Sequence, residues 1–428
     1  MKIQPDRLLA DLEALAAIGD TGDGGNCRLA LTDEDAGGRE LVVGWMRDLG
    51  LDVRVDRIGN VAATRAGAGA PSGSTRADSA LAPVMTGSHI DTVRTGGRYD
   101  GTLGVLAGLE VVRALDDAGI RTRRPVAVAF FTDEEGSRFA PDMLGSLVYV
   151  GGMPLEDALD IVAIDGAVLG DELERIGWAG DAAVPGPAPH AYVELHIEQG
   201  PVLEEAGVSI GAVTGVQGIS WQELTITGQS NHAGTTPMRL RHDPAYVAAQ
   251  TTAFARQLAT DLGGHQVGTV GRFDLHPDLV NVVPARATLT VDLRNTDEAG
   301  LAEAERRLRE HVAGLAAAEG CEAAWRRLAR FEPVGFDPEV IDLVEATAER
   351  LGHPVMRLPS GAGHDAQMLA RVCPTGMVFV SSRGGVSHNP AEFTEPEHLA
   401  AGTQVLAEVL TELAEVVEPE VVQPEAAR

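Results

Sequence analysis

The sequence predicts an α/β protein: a mixed, mostly parallel sheet with helices, split by an inserted α+β domain of antiparallel strands and two helices. Three observations carry this reading. Apolar strand-like runs alternate with helical periods in the first half (VMTGSHI, then GVLAGLEVVRALDDAG, then PVAVAFFTDEE), which is the pattern of a two-sided parallel sheet. Across residues 212–329 the pattern changes to period-two strands, SWQELTITGQ and ARATLTVDLRN, interleaved with two long helical segments, as in half-buried antiparallel strands. From 330 onward helix–strand alternation resumes with PEVIDLVEATAERLG and GMVFVSS. Residues 1–211 and 330–428 therefore form one discontinuous domain around an insert at 212–329.

Taken in order, Leu8, Leu12 and Leu15 recur at helical spacing and make the N-terminus an amphipathic helix. That start lacks the basic stretch and unbroken apolar run of a signal peptide. Residues 38–50 read as a helix and LDVRVDRIGNVAATR as a strand hairpin. Residues 66–82, small and polar with Gly, Pro and Ser, read as a surface loop. The strand and helix pairs above follow, then the alternating strand AYVELHIEQG. In the insert, DPAYVAAQTTAFARQLATDL and EAGLAEAERRLREHVAGLAAAEG are the two helices. From about 416 the tail is acidic and Pro-containing, with the composition of a frayed end.

A chain of 428 residues exceeds one ordinary core, and 44% hydrophobic residues are enough to bury two. The net charge of −29 argues against nucleic-acid or anionic-membrane partners. Cys27, Cys321 and Cys373 fit neither a zinc-finger spacing nor a disulfide framework and read as thiols in a reducing compartment. No stretch is long and apolar enough to span a bilayer. The expected location is the cytoplasm.

Chemistry-bearing residues cluster at predicted strand ends. In MTGSHIDTV, His89 and Asp91 follow a buried strand, at the end where open α/β sheets place ligands. The His-x-Asp spacing lets a carboxylate reach the far imidazole nitrogen, a frequent support for a metal-bound His; alone, it is more often structural. Asp100 sits before a helix among Gly96, Gly97 and Gly101 and would pass for a helix cap were His89 not near in sequence. Glu134 and Glu135 follow the next apolar strand. Adjacent carboxylates there repel unless a cation or proton intervenes, although a solvated acidic turn is the alternative. His196, with Glu198 and Gln199, ends another strand and could equally be a satisfied core histidine. His388 lies beyond a Gly-Gly loop, where histidines are exposed as often as functional. Together, three histidines and two carboxylates without cysteine suit zinc, manganese, cobalt or nickel.

The segments GSHIDTV, GGRYDGTLGVLAGLEV, FTDEEGSRF, HIEQGPVLE, GQSNHAGTTPM, LVNVVPARATLTVDLRN, PSGAGHDA and VSHNPAEF resemble the hydantoinase/carbamoylase-type amidases of the wider aminoacylase/carboxypeptidase family of di-metal hydrolases. That group includes N-carbamoyl-L-amino acid hydrolases, allantoate amidohydrolases and β-ureidopropionases. The resemblance implies two divalent metal ions per subunit, zinc first with manganese, cobalt or nickel as alternatives. His89, Asp100 and His196 would hold one, and Asp100 would bridge to a second held by Glu135 and His388. Glu134 would be the general base for the attacking water and Asp91 would orient His89.

From the insert, His232, Asn281 and Arg294 match positions that contact the substrate carboxylate or the reacting carbonyl. Gln199 and His364 match further pocket positions. Each also has a plainer, less favoured reading: a turn residue (His232), a strand end (Asn281), a surface strand residue (Arg294), a plain turn residue (Gln199) and a helix-start residue (His364).

The resemblance further implies a homodimer made through the insert, acting as lid, and hydrolysis of the C–N bond of N-carbamoyl (ureido) acids, N-carbamoyl-L-amino acids foremost, to amino acid, CO2 and NH3. Allantoate amidohydrolase or β-ureidopropionase activity is the alternative. A peptidase or N-acyl-amino acid deacylase is disfavoured by GQSNHAGTTPM and VDLRN, and a non-catalytic binding protein by the intact Glu134 and ligand set. Asn26-Cys27 stands where the family usually carries an apolar-Thr pair, and the loop at 66–82 is longer than the family leads one to expect.

Overall fold

A computed structural model describes residues 1–68 and 81–417. Most of the 66–82 loop, and the tail beyond 417, lie outside the described residues. The chain divides into two compact units, 1–214 with 336–428 and 215–335.

The first unit holds a large sheet. Its strands are β1 (Asp52–Val55), β2 (Val61–Arg65), β3 (Val84–His89), β4 (Val126–Phe131), β5 (Ala191–Ile197) and β6 (Ile210–Val216), with β14 (Val355–Ser360) and β15 (Thr375–Val380) added after the second unit has intervened. They lie in the order β1-β2-β4-β3-β5-β15-β6, with β14 also on β6. The four central strands, β4, β3, β5 and β15, run parallel, whereas the hairpin β1-β2 and strand β6 flank them antiparallel. β3, β4, β5 and β15 are buried along their whole length, as a sheet covered on both faces requires. From β3 the chain goes to one side for β4 and to the other for β5. That reversal opens a crevice at the carboxyl ends of the strands.

The helix Thr102–Asp117 packs closely on this sheet because it carries glycine where the backbones meet. A Cβ at Gly104 would lie 2.6 Å from the Leu195 carbonyl oxygen and 2.9 Å from Ser88 Cβ. The N-terminal helix Pro5–Ala16 buries Leu8, Leu12 and Leu15, the stripe its spacing predicted.

In the second unit, β7 (Gly218–Thr227), β9 (Val267–His276), β11 (Arg286–Asn295) and β12 (Glu322–Phe331) form an antiparallel sheet in the order β12-β7-β11-β9. Helices Pro244–Leu262 and Glu298–Glu319 cover one face, enclosing a core that includes Leu224, Ile226, Val247, Leu289, Leu301 and Leu308. The two-residue strands β8 (Asn231–His232) and β10 (Val282–Val283) pair with each other. β13 (Val334–Gly335) pairs with the end of β6, Val334 opposite Val216. The fold class is the mixed α/β sheet plus separate antiparallel α+β unit that the sequence predicts.

Candidate metal centre

The four parallel strands converge on one rim of the large sheet. His89 is the last residue of β3 and His196 lies one residue before the end of β5. Asp133, Glu134 and Glu135 follow β4, and β15 leads through the short turn Arg383–Gly385 to His388. Asp100 arrives from the loop before the helix Thr102–Asp117. Asp133 (φ 56°), Gln199 (φ 57°) and His388 (φ 52°) adopt left-handed backbone conformations here; non-glycine residues hold these only where their surroundings enforce them, and they concentrate at functional sites.

Asp100 is the centre of the arrangement. Its Oδ1 lies 3.7 Å from His89 Nε2 and 3.2 Å from His196 Nε2, while its Oδ2 lies 3.3 Å from His388 Nε2. Glu135 Oε2 is 3.4 Å from the same His388 nitrogen. Two donor groups, His89–Asp100–His196 and Asp100–Glu135–His388, therefore share one carboxylate. His89 Nδ1 lies 2.9 Å from the Asp91 main-chain oxygen, and His196 Nδ1 lies 2.8 Å from that of Ile197. Each contact places a proton on Nδ1 and turns Nε2 inward, the orientation a ligand needs. Gly101 has φ 65°, and a Cβ there would land on the His89 ring; only glycine lets the Asp100 loop approach so closely. Glu134 stands beside the first group, with Oε2 3.4 Å from His89 Nε2.

The electrostatics are those of a cation site. Burial, then neighbouring carboxylates (Asp365 first for Glu134, Asp100 first for Glu135), pushes both glutamates well above the usual carboxylate range. Burial and then Asp35 raise Asp91 to about 7. Burial acts the same way on Asp100, but hydrogen bonds from His196 and His388 prevail and hold it well below its ordinary value. His196 is raised to about 9, burial being outweighed by Asp100. Carboxylates crowded together in low dielectric around imidazole lone pairs are incomplete without positive charge. The nitrogen and oxygen donors, with no sulfur, fit divalent ions of the zinc, manganese, cobalt or nickel type.

A third group, Glu194, His196 and His364, also lies close together, but its atoms are already satisfied. Glu194 accepts from Ser88 Oγ at 2.6 Å, from the Ala366 amide at 2.9 Å and from the Tyr192 hydroxyl at 3.3 Å, and His364 Nε2 lies 2.8 Å from Ser360 Oγ. His364 is buried edge-on against His196, ring centroids 4.5 Å apart. Gln199 does reach the centre: its Nε2 donates to Asp100 Oδ2 at 2.8 Å and lies 3.4 Å from His388 Nε2.

Asp91 corrects one expectation. The sequence has its carboxylate orienting His89, but that carboxylate lies 3.8 Å from Nδ1, and the residue's own carbonyl takes the proton. The two carboxylate oxygens instead accept the amides of Glu134 and Glu135, each at 3.3 Å, and so hold the acidic turn. Buried Arg28 braces the same segment, its Nε donating to the Ile90 carbonyl at 2.7 Å. Asn26, singled out for departing from the family pattern, pairs its main chain with Gly96 on the Asp100 loop at 2.9 and 3.0 Å. Sequence reasoning missed Arg28, Glu194, Ser387 and Glu392. Glu392 sits within VSHNPAEF, where an acid four residues after a candidate ligand was the available signal.

Three of the predicted residues belong to the second unit. His232, on β8 opposite Val282, accepts the amides of Gly234 at 3.0 Å and Thr235 at 3.3 Å on Nδ1, which places its proton on Nε2. Asn281 is exposed, and its main-chain oxygen accepts the Ala233 amide at 2.9 Å. Arg294, on β11, is paired with Asp292 (Nη2–Oδ2 3.0 Å), with its guanidinium 5.9 Å from the Trp221 ring.

A carboxylate shared between two donor groups, with an adjacent glutamate at a sheet's switch point, defines a class: metal-dependent hydrolases. The chain belongs to the peptidase family M20/M25/M40, whose model matches residues 85–412. It is 42% identical over 417 residues to an N-carbamoyl-L-amino-acid amidohydrolase of Rhizobium meliloti, covering 97% of this chain and 98% of that one. It is 40% identical over 418 residues to an N-carbamoyl-L-amino acid amidohydrolase of Geobacillus stearothermophilus, covering 96% and 99%. A solved structure of a hydantoinase/carbamoylase family amidase from Burkholderia multivorans matches with a TM-score of 0.92 and 46% identity, covering 96% of this chain and 98% of that one.

Proposed function

We propose that this protein hydrolyses N-carbamoyl-L-amino acids at the ureido C–N bond, giving amino acid, CO2 and NH3. The observation that carries the reaction class is the Asp100-centred double donor set with Glu134 Oε2 3.4 Å from His89 Nε2. Full-length similarity to relatives of that name supports the substrate class.

His89, Asp100 and His196 would hold one divalent ion, and Asp100, Glu135 and His388 a second. When bound, such ions supply Lewis acidity, favouring hydroxide over water and polarising a carbonyl. Glu134 takes the proton from the attacking water on Oε2 and returns it to the leaving nitrogen, one carboxylate serving as base and then acid. Asp91 keeps Glu134 and Glu135 aimed by holding their amides. His232 donates from Nε2 to the carbonyl oxygen as it gains charge. The planar fork of Arg294 suits the substrate carboxylate, in exchange for Asp292. Asn281 adds a further polar contact to the substrate, and Gln199 and His364 shape the first unit's pocket. The second unit acts as lid and joins two copies into a homodimer, and the enzyme works in the cytoplasm. Among the described residues no helix is long and apolar enough to cross a membrane.

The test is a substrate panel read by ammonia release and amino-acid formation: N-carbamoyl-L-α-amino acids, N-carbamoyl-β-alanine, allantoate and N-acyl amino acids. The first class should turn over fastest, and chelation should abolish the activity. Preference for N-acyl substrates, or full activity in metal-free protein, overturns the proposal. Light scattering on the eluting protein should give twice the chain mass; a monomer refutes the dimer.

A further inference from the structure

Sharing Asp100 between two donor groups demands more than a well-placed side chain. Oδ1 must face His89 and His196 while Oδ2 faces His388 and Glu135, so the Asp100 loop and the His388 loop must be locked in mutual register. These loops come from distant parts of the chain, and His388 is exposed, with half its side-chain surface open to solvent. Its position therefore needs another source of order.

The geometry points to Glu392 as the positioning residue that provides it. Its carboxylate is buried, at 4% exposure. Oε1 accepts the main-chain amides of Tyr99 at 3.0 Å and Asp100 at 3.3 Å. Oε2 accepts the Ser387 hydroxyl at 3.0 Å, and that hydroxyl also lies 3.3 Å from Asp100 Oδ2. One carboxylate thus holds the backbone of the bridging aspartate and, through Ser387, the residue preceding His388. Its own amide closes a turn onto the Asn389 carbonyl at 2.9 Å, just beyond His388. Gly97 makes room for the clamp, since a Cβ there would run into the Glu392 carboxylate. The hydrogen bonds of the Glu392 carboxylate run to main-chain amides and to Ser387, and none runs to a donor atom, so Glu392 acts through Asp100 and His388 and not on substrate.

The acceptor pattern separates this role from a demand for charge. An amide at 392 can keep its oxygen on the two main-chain amides and donate its NH2 to Ser387 Oγ, leaving that hydroxyl's hydrogen to Asp100. Alanine can do neither. The inference rests on the proposed metal centre, and the experiment keeps the two apart. Metal content after dialysis, apparent metal affinity, kcat and KM are measured for wild type, Glu392→Ala, Glu392→Gln and Ser387→Ala, with a thermal melt of each. Expected for Glu392→Ala is a loss of about 10- to 100-fold in apparent metal affinity, the scale of removing a residue that orients ligands. With metal restored in excess, kcat should still fall about tenfold or more while KM changes little. Glu392→Gln should recover most of both quantities, and Ser387→Ala, which removes only a hydroxyl, should show the same loss in milder form.

Wild-type protein that binds no metal sinks the centre itself. Wild type that binds metal beside a Glu392→Ala variant of equal affinity and kcat sinks this inference alone, as does Glu392→Gln no better than Ala. Should Glu392→Ala fail to fold, Glu392→Gln and Ser387→Ala carry the test, and wild-type affinity and kcat in Ser387→Ala then overturn it.

Discussion

At the scale of single residues, the proposed reaction separates groups that hold charge from one that moves a proton. Glu134 and Glu135 are neighbours, yet Glu135 faces His388 and Glu134 faces His89. Glu134→Gln keeps the size and hydrogen-bonding capacity but cannot accept a proton, so it should retain metal while kcat falls by about 10²- to 10⁴-fold; metal analysis alongside turnover checks both halves. Gly101→Ala fails differently. Its φ of 65° and the His89 ring against the missing Cβ leave no room for a methyl group, so this variant should lose metal as well as activity. A Gly101→Ala protein with wild-type metal content would show that the Asp100 loop has slack. Of the candidate ligands, His89, Glu135 and His196 were legible because each stands at or just after the end of a recognisable strand, whereas Asp100 and His388 lie in loops and stood out only through the resemblance. Asp91 was misread because spacing shows that a carboxylate is near a ring, not that a carbonyl on the same residue is nearer. Glu392 was passed over because a buried acid and a surface acid look alike in one sequence.

At the scale of elements, what places these residues is the close approach of the helix Thr102–Asp117 to the sheet. Gly104 and Gly108 carry it: a Cβ at Gly108 would sit 2.9 Å from both Thr86 and Val128 side chains. Gly104→Ala meets a main-chain oxygen that cannot step aside, and should cost about 1–3 kcal/mol in urea unfolding, as overpacking does. Gly44, in the helix Asp33–Asp48, has nothing within 4 Å of its Cβ position. Gly44→Ala should therefore stabilise by about 0.5–1 kcal/mol. If both substitutions shift stability the same way, local packing is not what distinguishes them. The same physics explains which elements could be read. β4 and β15 announce themselves through the apolar runs VAVAFF and GMVFV because both their faces are buried. β9 and β12 form the edges of the second unit's sheet and are largely exposed; EAAWRRLARF carries arginines where a half-buried strand would show apolar alternation, so nothing in its pattern asked to be called a strand.

At the scale of the whole molecule, a strongly acidic chain concentrates part of its charge in a buried centre, which couples stability to pH and metal. Asp91 and Glu392, raised chiefly by burial to about 7, are stabilised in the fold as neutral acids. Their contribution is present below their unfolded values and lost as pH rises through about 7. His196, raised to about 9, loses its contribution over the range from about 6.5 to 9. His89 is opposite in sign: lowered by burial to about 4, it loses stability only as pH falls below about 6.5. From about pH 6.5 to about pH 8.5 His89 no longer changes, Asp91 and Glu392 complete their decline as pH passes about 7, and His196 declines throughout. Chelator-treated protein should therefore melt at progressively lower temperature across that window. Divalent metal replaces the missing protons and binds the folded state alone, so metal-loaded protein should show a flatter profile. The increase in Tm on adding metal should then be larger at about pH 8.5 than at about pH 6.5. Scanning calorimetry of the two forms at both pH values measures this, and parallel profiles would mean that the crowded carboxylates are not what the metal relieves.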